Sequence, residues 1–231
     1  MRKLILFVSI IFFTGVVPFL AYLPTMGPTD SFGEENSRKV LMVLREGYST
    51  DLDLAIKMEV GVMTKLLKDA GFEVDIATTS GQPILGPTQK IEKVLRLSEI
   101  NLDNYVGVIM PCMAVGMFPG PPVSPQAVEI VKKTLADGKP VAAASNATIV
   151  LADAGVLKGK KYAFNEDPLK AGKTRTRTDP RFTDAIYSGP GVVQDGKIIT
   201  SGVCPVIESR TGMQSGTVEL TQKFIATISP K

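Results

Sequence analysis

The segment that most constrains this chain is Lys139 to Gly159, KPVAAASNATIVLADAGVLKG. Val141 to Ala144 is a run of small apolar residues with no alternation of polar and apolar positions. Such a strand suits burial on both faces, as in a parallel sheet. Ser145 and Asn146 interrupt the run, and a second apolar stretch, Ile149 to Leu157, follows with Gly155 near its end. The pattern predicts a strand, a polar corner and a helix. Ligands of open α/β sheets sit at the carboxyl ends of strands, where such corners lie. Ser145 or Asn146 can cap the helix and satisfy its free amides. Asn146 also suits a tight corner, because asparagine tolerates left-handed backbone.

The flanking chain repeats the strand–helix theme. Lys39 to Leu44 (KVLMVL) reads as a buried strand, Leu52 to Ala70 as a helix closed by Gly71, and Glu73 to Thr78 as a second strand. That βαβ order implies a parallel sheet. Tyr105 to Met110 is the next strand. Ser124-Pro125 opens a helix that runs to about Asp137. Lys160 to Phe164 reads as an edge strand, and Val192 to Ile199 as a hairpin around Asp195-Gly196. Thr200 to Ser209 is a final loop, and Thr217 to Ile228 a closing amphipathic helix.

Glu59 lies inside the first helix, on the face of Ala55, Val62, Met63 and Leu66. A carboxylate on an apolar stripe needs a partner or a raised pKa. The plain alternative is a boundary glutamate that reaches solvent.

Taken together, Val141-Ala142-Ala143, Leu151-Ala152-Asp153-Ala154-Gly155 and Leu157-Lys158-Gly159 resemble the central segment of the ThiJ/PfpI superfamily, within the class I glutamine amidotransferase-like fold. The valine-valine, Asp-Gly, isoleucine-threonine pattern at Val192 to Thr200 is similar as well. The resemblance covers about Lys39 to Ile228. It implies a flavodoxin-like three-layer α/β sandwich with a mostly parallel central sheet, occupying residues 39–231. It departs from the family at the centre. Ser145 stands where the family has its reactive cysteine, Asn146 where it has histidine, and Ala147 where it has glycine. Counted back from Leu67-Lys68-Asp69-Ala70-Gly71, Glu59 falls where the family keeps a glutamate that hydrogen-bonds its cysteine. Pro111-Cys112-Met113 replaces a Pro-Gly-Gly whose amides help form the family's oxyanion pocket, and losing both glycines restricts backbone approach to a ligand.

The resemblance thus implies a scaffold without the family's cysteine chemistry, serving as a structural module or binding an unidentified small molecule. The alternative is a hydrolase or carbonyl-adduct repair enzyme using Ser145 or Cys112 with Glu59. The expected site is Glu59 and Ser145, with Cys112, Met113, Asn146 and Cys204 lining it. Family members commonly associate, which implies a homo-oligomer.

Composition narrows the chemistry. The 231 residues include no histidine and two cysteines. Ser-His-Asp and Cys-His catalysis within one chain are therefore excluded, as are ordinary zinc sites. No metal or cofactor is expected. Cys112 and Cys204 each follow a strand on its carboxyl side. Three readings apply: a disulfide if the domain lies outside the cytoplasm, a relocated reactive thiol at Cys112, or buried structural cysteines. The net charge of +3 is spread among mixed charges and leaves no nucleic-acid footprint. Asn165 to Asp184 carries Lys170, Lys173, Arg175, Arg177 and Arg181, which reads as a solvated loop or as an anion-attracting rim.

At the N-terminus, Arg2 and Lys3 precede an uncharged run from Leu4 to Leu23. That run is long enough to span a bilayer or to form a signal-peptide core. Residues 1–23 are therefore expected to be a membrane anchor or signal peptide, with the domain on the extracytoplasmic side. Residues 24–38 read as a flexible linker.

Overall fold

Strand β1 (Lys39–Val43) is buried from Val40 onward, and its neighbours β2 (Glu73–Thr78) and β6 (Gly107–Met110) pair with it in parallel. This computed structural model describes residues 38–47, 49–113, 115, 122–166 and 176–229. Between β2 and β6 come a small hairpin, β3 (Ile84–Leu85) with β4 (Lys90–Ile91), the edge strand β5 (Leu95–Arg96) and two 3-10 turns. Beyond β6 the sheet continues through β7 (Val141–Ala144) and β11 (Ile198–Ser201) to β10 (Val192–Asp195). The order is β10-β11-β7-β6-β1-β2-β5, with only β10 antiparallel. The mostly parallel α/β architecture follows the expectation from the sequence.

Helices cover both faces, which is why the central strands are uniformly apolar. One face packs under α3 (Pro125–Ala136) and α4 (Thr148–Asp153). The other packs under α1 (Leu52–Ala55), α2 (Gly61–Asp69) and α6 (Thr217–Ile228). Gly107 allows that second layer to close, because a Cβ there would meet the Phe224 ring at 2.9 Å and the Pro140 carbonyl oxygen at 3.0 Å. From β1 the chain runs one way to β2 and the other way to β6, β7 and β11. The strand order therefore reverses between β1 and β6, where a crevice opens at the carboxyl edge.

Three expectations are corrected. Thr200 to Ser209 is not simply a loop: β11 extends to Ser201, and α5 (Pro205–Thr211) follows, with Pro205 in its first turn and Gly212 closing it at φ 72°. Proline suits a first turn because its missing N–H has no partner there in any case. The helix after the corner stops at Asp153, and turns carry the chain on to Gly159. The edge strand is two residues, β8 (Lys161–Tyr162), paired with β9 (Ile186–Tyr187) rather than with the main sheet.

The segment expected to direct the chain to a membrane, the linker up to residue 37, and Lys170, Lys173 and Arg175 lie outside the described residues. Among the described residues, no helix is long and apolar enough to cross a membrane.

Candidate functional site

The first helix is not regular. Between α1 and α2 it opens into a π-helical turn (Ile56–Val60), and Glu59 sits in that turn. A π turn adds a residue to the helical circuit and re-aims its side chains, and such turns recur at functional sites. Ala55, Ile56, Glu59, Val60, Met63 and Leu67 are buried, while Val62 and Leu66 are only half-buried. The helix thus carries Glu59 into the core at 1% exposure, which overturns the solvent-reaching alternative.

There the carboxyl group bridges the corner after β6. The Cys112 amide donates to Oε1 at 2.9 Å, and the Met113 amide donates to Oε2 at 3.2 Å. Burial pushes the Glu59 pKa well above the usual glutamate range, and the nearby Cys112 adds to the rise. The two amide hydrogen bonds pull it down but do not outweigh the loss of water. Met113 has φ 57°, a left-handed conformation that costs a side-chain-bearing residue about 1–2 kcal/mol. Its side chain is buried at 1% exposure.

The corner after β7 is also left-handed. Ser145 has φ 49° and is buried. It opens a 3-10 turn (Ser145–Ala147) whose N-cap is Ala144, and the N-cap of α4 is Ala147, with no side-chain cap at either. The capping role expected of Ser145 or Asn146 is therefore not made. The positive φ also falls on Ser145 and not on Asn146. Among the described residues, none hydrogen-bonds the Ser145 hydroxyl. One helical turn on, the Thr148 hydroxyl is fully buried and has no hydrogen-bond partner among the described residues. An orphaned buried hydroxyl costs about 1–3 kcal/mol.

Cys112 and Cys204 come from the segments after β6 and β11, the strands on either side of β7. Each is 1% exposed, and they share one packed cluster with Ala144 and Met113. The Cys112 thiol is a close neighbour of the Cys204 thiol, and no disulfide joins them. That neighbour, with burial, pushes the Cys204 pKa far up, so the thiol stays protonated.

Arg45 completes the edge. It lies just beyond β1, after Leu44, and is half-buried, and its Nη1 lies 3.5 Å from the Asn146 carbonyl oxygen. Burial lowers its pKa, with the adjacent Arg181 adding to that, while Cys112 and Asp153 oppose it. A cavity of about 330 Å³ occupies the crevice between β1 and β6, lined in part by Leu44, Arg45, Glu46, Met110, Val123 and Ala147. Arg181 is engaged by Asp179 at 2.6 Å and Asp153 at 3.6 Å, and Arg177 stacks over the Tyr187 ring at 5.3 Å. The described part of the basic run is thus committed to the protein's own acidic and aromatic groups.

The structure brings Glu59, Cys112, Met113 and Cys204 together and sets Ser145 and Asn146 at the next corner. Glu59 contacts the amides after β6. Arg45 is not among the site residues expected from the sequence. Its place directly after a strand, at the carboxyl edge, was the available signal. Among the described residues, no group of three or more Cys, Asp and Glu side chains is arranged to hold a metal ion.

The DJ-1/PfpI family pattern matches residues 38–207. An uncharacterized protein of Methanocaldococcus jannaschii is 31% identical over 166 residues, covering 71% of this chain and 74% of that protein. A deglycase of Thermococcus kodakarensis is 29% identical over 165 residues, 71% of this chain and 89% of its own length. The solved ThiJ/PfpI domain protein of Brachyspira murdochii superposes with a TM-score of 0.63 at 15% identity, over 84% of this chain and 97% of that one. The strand order, the corner after β7 and these likenesses agree, and the chain belongs to the DJ-1/PfpI family.

Proposed function

We propose that this domain binds a small molecule at the carboxyl edge of its sheet and does not carry out the cysteine-based catalysis of its family. One observation carries the reading: both amides of the Cys112-Met113 corner donate to Glu59. Stabilising an oxyanion needs donors aimed at the place where charge develops. Donors already held by a carboxyl group do not meet that need. The absence of histidine removes the usual base for Ser145. The crevice cavity is of a size that takes a small ligand. Apolar walls with Arg45 and Glu46 at the rim suit a compound with a polar end and an apolar body.

A second reading has its own support. Ser145 holds a strained backbone at a buried strand-to-helix corner, and such strain clusters at active sites. The similarity to a deglycase fits a carbonyl-adduct repair enzyme with Ser145 as nucleophile. Glu59 is occupied with the amides, so this reading needs another base.

The purified protein is incubated with a dicarbonyl adduct of an N-acetylated amino acid, and amine or thiol release is followed. The binding reading predicts release at the uncatalysed rate, the same for Ser145→Ala. Turnover that Ser145→Ala abolishes would overturn it. The uncharged run at residues 4–23 supports a further part of this proposal, that the domain is tethered outside the cytoplasm. Cell fractionation tests that point. Recovery of the protein in the cytosol contradicts it. We also carry forward association with a second copy, which sedimentation velocity checks.

A further inference from the structure

We propose that Cys112 and Cys204 are a disulfide-forming pair, a covalent clasp across the carboxyl end of β7. The pairing is not an accident of sequence proximity. β6 and β11 are separated by β7, and strands one apart in a sheet lie about 9.6 Å from each other. A disulfide needs Cα atoms within about 4.4–6.8 Å. The segments beyond the two strands carry both cysteines into one packed cluster on the same face of the sheet, where the Cys112 thiol is the neighbour that acts most strongly on the Cys204 thiol. The amide of Cys112 is fixed by Glu59, and Cys204 is the N-cap of α5, so each thiol is carried by an anchored backbone. A bond there would join the two segments that flank Ser145.

The chemistry balances with a low-molecular-weight disulfide as oxidant. The Cys112 thiolate attacks one sulfur of glutathione disulfide, forming a mixed disulfide and releasing one glutathione thiolate. The Cys204 thiolate then attacks the Cys112 sulfur, forming the Sγ–Sγ bond and releasing the second glutathione. The two cysteine protons end on the two glutathione thiols, and the electron pair lost by the cysteines reduces the oxidant. Thiolate is the reactive form, and burial keeps both thiols out of solvent and holds Cys204 protonated in the folded domain. The bond therefore forms while the chain folds, before the cluster closes. It closes a loop of about 90 residues, long enough for the constraint on the unfolded chain to be large.

The test is refolding of the full chain, in mild detergent, with a mixture of oxidised and reduced glutathione, followed by alkylation in denaturant and peptide mapping. The expected product is a monomer two hydrogens lighter than the dithiol, with neither cysteine alkylated and one linked peptide containing Cys112 and Cys204. Its thermal midpoint falls by several degrees on reduction, and Cys112→Ser and Cys204→Ser each leave the other thiol open to alkylation. If either variant fails to fold, the wild-type peptide map decides. Two alkylated cysteines in a chain with native circular dichroism would overturn the proposal. So would separate glutathione adducts or a cross-link between two chains.

Discussion

The corners after β6 and β7 lie on adjacent strands, and each carries a buried, side-chain-bearing residue in left-handed backbone, Met113 and Ser145. They differ in what offsets the strain. The first corner hands its two amides to Glu59. The second has no side-chain cap, and the Thr148 hydroxyl just beyond it is orphaned. A conformation that glycine would adopt freely is thus held by a buried acid in one place and by the surrounding fold in the other. The first corner is a supported structural joint. The second has the features of a site that keeps strain for a ligand or a reaction.

The largest effect is expected from Glu59→Ala. It strands two buried amides and leaves a cavity, a loss of about 3–5 kcal/mol in urea unfolding. A change under 1 kcal/mol would break the contrast between the corners. Met113→Gly comes next. It removes a buried side chain and relieves the left-handed backbone, for a net loss of about 1–3 kcal/mol. A gain in stability would mean that the Met113 side chain contributes nothing there.

The third prediction concerns pH. The folded pKa of Glu59 is raised, so the folded state binds more protons than the unfolded state between the two values. The contribution is fully present below the ordinary glutamate value of 4.5 and is lost as pH rises through the folded value. The unfolding free energy of the wild type, from urea titrations, should therefore decline relative to Glu59→Gln across that window, by at most about 1.4 kcal/mol per pH unit. Parallel profiles would contradict the raised value. The smallest effect is a gain. Ser145→Gly relieves strain that no hydrogen bond among the described residues offsets, and should stabilise the domain by about 0.5–1 kcal/mol in the same assay.

Much of the fold was legible because its signals are local and repeated. Uniform apolar strands, glycine after the first helix and Asp195-Gly196 in the hairpin each report a conformation that few other sequences favour. Glu59 was legible as a carboxylate on an apolar stripe, but its partners were not. The π turn that aims it leaves no mark in the periodicity of a short helix, and Cys112 and Met113 lie more than fifty residues away. The corner at Ser145 and Asn146 was visible, yet which residue takes the positive φ depends on how β7 meets α4. Helix α5 was hidden because Pro205 reads as a loop residue unless the chain is already known to turn there.

Glu59 holds the two amides after β6, and NMR of the Cys112 and Met113 amide resonances across pH 3 to 9 reads that contact. Both resonances should shift together, with one midpoint above 4.5, and Glu59→Gln should abolish the shift. Amides that do not respond to pH, or a common midpoint at or below 4.5, would contradict it.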